Sequence, residues 1–191
     1  RGTPYVYQGD EIGMTNVSHP SIDLYDDIET RNAWKAVEAK GKDMAAFLKA
    51  VHWQSRDNAR TPIQWDATAQ AGFTSGKPWI PVNENYPQIN VAAAEKDTDS
   101  ILHYYRKMIA YRKTNLCLVY GHFEDLLPQH LHLYVYKRWD ENNTYLVVHN
   151  FRDSKTNWEQ KEVGYLLETG NYTSHSSQHL SPWESRIYRL V

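Results

Sequence analysis

The spacing of apolar residues changes character twice along this chain. Thr3-Pro-Tyr-Val-Tyr-Gln8 is aromatic and β-branched, which predicts a short buried strand ended by Gly9. A long excursion follows, from residue 10 to about residue 99. Within it, residues 26–40 predict a helix with acids near its start, where the helix dipole favours them, and with Gly41 as a stop. Asp43 is placed to cap a second helix, whose Met44, Phe47, Leu48 and Val51 recur at helical spacing. Residues 54–88 read as loop, punctuated by Pro62, Gly72, Gly76, Pro78, Pro81 and Pro87. Residues 100–113 predict the clearest helix, with Ile101, Tyr104, Tyr105, Met108 and Ile109 on its apolar face.

After about residue 114 the period becomes two. Leu131-His-Leu-Tyr-Val-Tyr-Lys137 and Thr144-Tyr-Leu-Val-Val-His149 alternate, with Asp140-Glu-Asn-Asn143 between them as a hairpin turn. Residues 163–167 and 185–191 also read as strands. Short strands separated by polar turns predict an antiparallel sandwich. The expected organisation is a strand–loop–helix unit over residues 1–115 and a small all-β domain over residues 116–191.

Composition narrows the function classes. A net charge of −2 gives no reason to expect a nucleic acid or an anionic membrane as partner. No apolar run approaches a membrane span, and no signal peptide is recognisable. The single cysteine, Cys117, forbids an internal disulfide and fits a reducing compartment, so a cytoplasmic location is expected. The chain starts at Arg1 directly before a strand-like run, which reads as a cut through a larger protein. With 7 Trp and 14 Tyr, rings could offer sugar-stacking surface, although core filling accounts for most of them.

The most chemically loaded stretch is Arg56-Asp-Asn-Ala-Arg-Thr-Pro-Ile-Gln-Trp-Asp66. It is too polar for a core strand, and Pro62 breaks it as a helix, so it predicts a structured loop that presents side chains. Taken with Gly2-Thr-Pro-Tyr-Val-Tyr-Gln-Gly-Asp-Glu-Ile-Gly-Met-Thr-Asn16, then Ala71-Gly-Phe-Thr74 and Pro78-Trp79, it resembles the α-glucosidase branch of the α-amylase family, and within it the oligo-1,6-glucosidases. The resemblance is dense over residues 1–115 and rests on pattern alone over residues 116–191.

The resemblance implies a (β/α)8 barrel followed by a C-terminal β-sandwich. Residues 3–8 would be the eighth barrel strand, residues 10–99 the loop after it, and residues 100–113 the eighth helix. A barrel takes about 250 residues. The resemblance therefore places the nucleophile, the acid/base and a stabilising third acid upstream of Arg1, and expects no catalytic residue here. The missing N-terminal barrel portion becomes the expected partner, gluco-oligosaccharides the expected substrate, and this chain alone is expected to be inactive.

In the family, the position of Arg60 lies at the subsite of the sugar under attack. Its guanidinium fork can bridge a carboxylate and a hydroxyl. Arg56, Asp57 and Asn58 are expected to hold the loop in shape, and Glu29 to touch the leaving sugar. The plain alternatives are a loop salt bridge for Arg60 and an ordinary first-turn helix acid for Glu29. Asp10 and Glu11 mimic a paired-carboxylate site, but adjacent residues after a strand point apart, so a supporting role is expected for Asp10. Trp65 and Trp79 are expected to pack the loop. His130 and His132 share a strand face without a third ligand. No metal or cofactor is expected.

Trehalose-6-phosphate hydrolases and sucrose isomerases share much of the signature. The phosphate hydrolases often carry Ser where this chain has Ala59. Non-catalytic transporter heavy chains share the architecture, but their extracellular disulfides do not suit a single cysteine. A carbohydrate-binding β domain is a further alternative, using Tyr134, Tyr136, Trp139 and Tyr145 as a platform. Finally, Tyr5, Tyr7, Tyr105 and Met108 are expected to form an apolar patch that associates with other surfaces.

Overall fold

The computed structural model describes residues 3–161 and 163–191; Arg1 and Gly2, the latter opening the first motif, lie outside the described residues. The fold has two compact units, Tyr5–Arg106 and Lys107–Val191, with Thr3 and Pro4 grouped with the second. The division falls inside the long helix Ile101–Thr114 rather than at its end near residue 115.

The first unit is built on two helices, α1 (Ile28–Glu38) and α2 (Met44–Gln54). Each begins at an aspartate that satisfies an otherwise unpaired amide. Asp27 Oδ2 accepts from the Thr30 N–H at 3.2 Å, and Asp43 Oδ1 from the Ala46 N–H at 3.0 Å. The chain leaves α1 through Gly41 at φ 61°, a left-handed conformation in which a side chain is strained. Val51 of α2, with Phe47 and Leu48, packs against Val17, Ile22 and Tyr25. Beyond α2 the backbone is held by short 3-10 turns at Arg56–Ala59 and Ala69–Gly72, and Gln64, Ala71 and Ile80 are fully buried. A short helix the pattern does not predict, α3 (Val91–Lys96), is capped by Asn90 and precedes α4 (Ile101–Thr114).

The buried strand expected over residues 3–8 does not form. Residues 3–7 pair with no strand among the described residues, and Tyr5 is 93 % exposed. A strand exists through hydrogen bonds to its neighbours, and every ladder described in this chain lies within Lys107–Val191.

The second unit takes in the end of α4, then α5 (Cys117–Tyr120), β1 (His122–Asp125), β2 (Leu133–Trp139), β3 (Thr144–Asn150), β4 (Thr156–Asn157), β5 (Tyr165–Gly170), β6 (His179–Leu180) and β7 (Ser185–Leu190). The main sheet runs β1-β2-β3-β7-β5, antiparallel throughout, and β4 pairs with β6. Asp140 turns the β2–β3 hairpin by accepting from the Asn142 and Asn143 amides at 2.9 and 2.8 Å.

Alternation gives the sheet two buried faces. Leu133, Val135, Leu146, Val148 and Tyr188 meet Leu180 and Trp158, whereas Tyr145, Val147 and Ile187 meet Met108, Tyr111, Cys117 and Leu118. Met108 is therefore partly buried against the sheet, not part of an exposed patch. Tyr145 is likewise buried, its hydroxyl donating to Asn115 Oδ1 at 2.8 Å. The sugar platform postulated from Tyr134, Tyr136, Trp139 and Tyr145 thus loses one ring to the core. Trp139 lies on the opposite face from Tyr134 and Tyr136 and stacks on His122.

Candidate functional site

Ser55 starts the loop that matters most. Its hydroxyl accepts from the Asp57 amide at 3.2 Å and sets the 3-10 turn Arg56–Ala59. The turn swings Asp57 inward to 1 % exposure, where Asp57 Oδ2 accepts from the backbone N–H groups of Asp26 and Asp27 at 2.6 and 2.9 Å. Asn58 ties the loop the other way: its Oδ1 accepts from the Val17 amide at 3.0 Å, and its Nδ2 donates to the His52 carbonyl at 3.0 Å. The loop is thus fastened through side chains to the start of α1, to the end of α2 and to the segment before Val17.

Both arginines of the loop converge on Asp27, which is 3 % exposed. Arg56 gives it two short contacts, from Nη2 at 2.7 Å and Nε at 2.9 Å, both to Oδ1. Arg56 Nη2 also lies 3.4 Å from Glu29 Oε2. Arg60 is held more loosely: Nη1 is shared between Asp57 Oδ1 at 3.4 Å and Asp27 Oδ1 at 3.5 Å, both at the outer edge of contact. The side chains of Arg56, Arg60 and Glu29 are 49 %, 40 % and 77 % exposed. The arrangement is a buried anionic floor with cationic, half-open walls.

The chemistry of this floor is that of an anchor. Burial pushes the Asp27 carboxyl up, but hydrogen bonds from Thr30 and Arg56 outweigh it and hold the group below the usual carboxylate range. The same contact to Asp27 raises the Arg56 guanidinium. A carboxylate fixed as an anion cannot donate a proton at neutral pH, so Asp27 has no use as a general acid. The half-exposed guanidiniums can instead present N–H donors to hydroxyl groups.

From the sequence, Asp27 stands only among the acids of the Asp26-Asp-Ile-Glu29 stretch, which the resemblance sets beside the leaving sugar, and not as an anchor. The available signal was its place just before a helical run, where an aspartate with two oxygens can cap and still accept elsewhere. Asp10 and Glu11 hold their own turn, Asp10 Oδ2 accepting from the Tyr7 amide at 3.3 Å and Glu11 Oε2 from the Gly9 amide at 2.8 Å. They are not brought to the arginines. The Tyr7 hydroxyl donates to the Ala59 carbonyl at 2.6 Å, beside a cavity of about 210 Å³ lined by Tyr7, Asp10, Asn16, Asn58 and Thr61. Trp65 and Trp79 keep large exposed areas. His130 Nδ1 accepts from the amides of His132 and Leu133, which gives it a turn-forming job.

Residues 1–121 match the family model described as alpha amylase, catalytic domain. The chain is 43% identical over 201 residues to the oligo-1,6-glucosidase of Parageobacillus thermoglucosidasius, covering 100% of this chain and 36% of that protein. It is 44% identical over 200 residues to the oligo-1,6-glucosidase of Halalkalibacterium halodurans, covering 98% of this chain and 35% of that protein. The crystal structure of Bacillus licheniformis trehalose-6-phosphate hydrolase superposes with a TM-score of 0.94 at 36% identity, covering 100% of this chain and 36% of that one. The chain thus spans about a third of the length of its relatives and corresponds to their C-terminal part. With the family model covering most of its length and its motifs in family order, this chain belongs to the α-amylase family of glycoside hydrolases.

Proposed function

We propose that this chain is the C-terminal part of a retaining α-glucosidase that cleaves α-1,6, or short α-1,4, glucosidic bonds from the non-reducing end of gluco-oligosaccharides. The observation that carries the reading is the contrast at Asp27. Arg56 satisfies its charge with two short bonds, while Arg60 keeps long contacts and an open face. In this reading Arg60 presents donors to the hydroxyls of the sugar under attack, and Glu29, beside Arg56, faces the leaving sugar.

The catalytic carboxylates belong to the preceding part of the longer protein. Retaining glycosidases need two carboxyl groups roughly 5 Å apart, one of them protonated. The close carboxylates described here, Asp27 and Asp57, are taken up by backbone amides and guanidiniums. The single cysteine, Cys117, is buried with its thiol pushed up to about 11, chiefly by burial, which suits a structural residue in a cytoplasmic enzyme.

The oligo-1,6-glucosidases named above support cleavage of isomaltose-like bonds, whereas the trehalose-6-phosphate hydrolase supports a phosphorylated disaccharide. Ala59, whose side chain offers no hydrogen bond, favours the first. The test is hydrolysis of an aryl α-glucoside, isomaltose, maltose and trehalose 6-phosphate, by the longer protein and by the 191-residue chain. Isomaltose cleavage by the longer protein and none by the chain is expected. Turnover by the chain at its own mass would overturn the placement of the carboxylates. A preference for trehalose 6-phosphate would replace the oligoglucoside reading.

A further inference from the structure

We infer that Asp27 is a positioning residue that sets the two sugar-facing groups, Glu29 and Arg60, in register with one another; the inference rests on the α-glucosidase reading. The two oxygens of Asp27 do different work. Oδ2 caps α1, accepting from the Thr30 N–H at 3.2 Å and the Thr30 hydroxyl at 2.8 Å. Oδ1 receives Arg56 through Nε and Nη2 at 2.9 and 2.7 Å, and Arg60 Nη1 at 3.5 Å. One buried carboxylate is therefore the common reference for a helix that carries Glu29 and a loop that carries Arg60.

The link is reinforced from both sides. Arg56 reaches from Asp27 to Glu29 at 3.4 Å, so it orients the outer acid as well. Asp57 fastens the loop to the backbone at the entry of α1 through the amides of Asp26 and Asp27. Asp43 supplies the internal contrast. It caps α2 in the same way, accepting from the Ala46 amide at 3.0 Å, and no ion pair is described for it. Capping alone needs no arginine. The guanidiniums at Asp27 serve a second purpose, the fixed spacing of two groups on different elements.

The test is steady-state kinetics of the longer protein on isomaltose, which has a leaving sugar, and on an aryl α-glucoside, which has none. Asp27→Asn keeps an oxygen for the Thr30 cap but turns an amide towards the arginines. Because small misplacements of substrate-positioning groups cost about 100-fold, Asp27→Asn should lower kcat/KM about 100-fold on isomaltose and about 10-fold on the aryl glucoside. Asp27→Glu restores the charge and should recover most of the loss. Asp43→Ala, the matched loss of a cap, should leave both rates within about twofold, since a cap acts on helix stability. Thermal unfolding of each variant separates misfolding from mispositioning.

Equal losses on the two substrates, or an Asp27→Asn enzyme as fast as the Asp43→Ala enzyme, would overturn the inference while leaving the α-glucosidase reading intact. So would a loss that tracks the melting temperature alone. A wild-type protein that cleaves neither substrate would overturn both.

Discussion

Two arginine–carboxylate networks occur in this molecule, and they differ in what they leave over. In the sheet unit, Arg186 is 3 % exposed, and its three nitrogens are all engaged: Nε with Glu184 Oε1 at 2.7 Å, Nη1 with the Ser176 carbonyl at 2.7 Å and the Tyr188 hydroxyl at 3.3 Å, Nη2 with the His179 carbonyl at 2.8 Å. Glu184 is fully buried, and also accepts from His175 Nδ1 and the Ser181 amide, each at 2.6 Å. In the loop unit, Arg60 engages through one nitrogen, at long distance, and stands half open. The residue types are the same. Saturation separates them: a network with every nitrogen engaged locks a fold, whereas a network with donors to spare can receive a ligand.

The contrast is sharpest in stability. Arg186→Met leaves the buried Glu184 without its guanidinium partner and should destabilise the sheet unit by about 3–5 kcal/mol in urea unfolding of this chain. The same change at the lock and no measurable loss would erase the distinction drawn above. Acid should act on the same place. Burial alone would raise the Glu184 carboxyl, but bonds from Arg186, His175 and the Ser181 amide hold it down at about 2, against an ordinary 4.5. Because its folded value is depressed, its contribution is complete above about pH 4.5 and is lost as pH falls towards 2. The loss is about 3 kcal/mol. Stability measured against pH should show it, and Glu184→Gln should flatten that part of the curve.

Smaller effects follow on the helical unit. Asp43→Ala removes one cap from α2 and should cost about 1 kcal/mol, read as a shift in the thermal midpoint. Arg60→Met should cost under about 1 kcal/mol, because its ion pairs are long and half exposed to solvent. A large loss there would make Arg60 a second lock, not a ligand-facing group.

The legible parts of the fold were those with local causes. α1 follows from acids near its start and Gly41 after it, α2 from the capping Asp43 and apolar spacing, α4 from apolar spacing, and the β2–β3 hairpin from Asp140 and its turn. The segments α3, β1, β4 and β6 are two to six residues long and leave too few positions to show a period. The expected strand at residues 3–8 failed for a different reason: its residues suit a strand, but pairing depends on partners elsewhere. At the site, the crowding of Arg56, Asp57, Asn58 and Arg60 into one turn is visible in their spacing. That Asp27 joins them from across the fold is not, since a capping aspartate reads the same with or without arginines on its other oxygen.

The most direct test of this account is the kinetics of Arg60→Lys in the longer protein on isomaltose. A lysine keeps the charge but loses the planar fork. The account predicts a fall in kcat/KM of about 100-fold, or about 2.7 kcal/mol of transition-state binding, with an unchanged melting temperature. An Arg60→Lys enzyme that matches the wild type on isomaltose would contradict it.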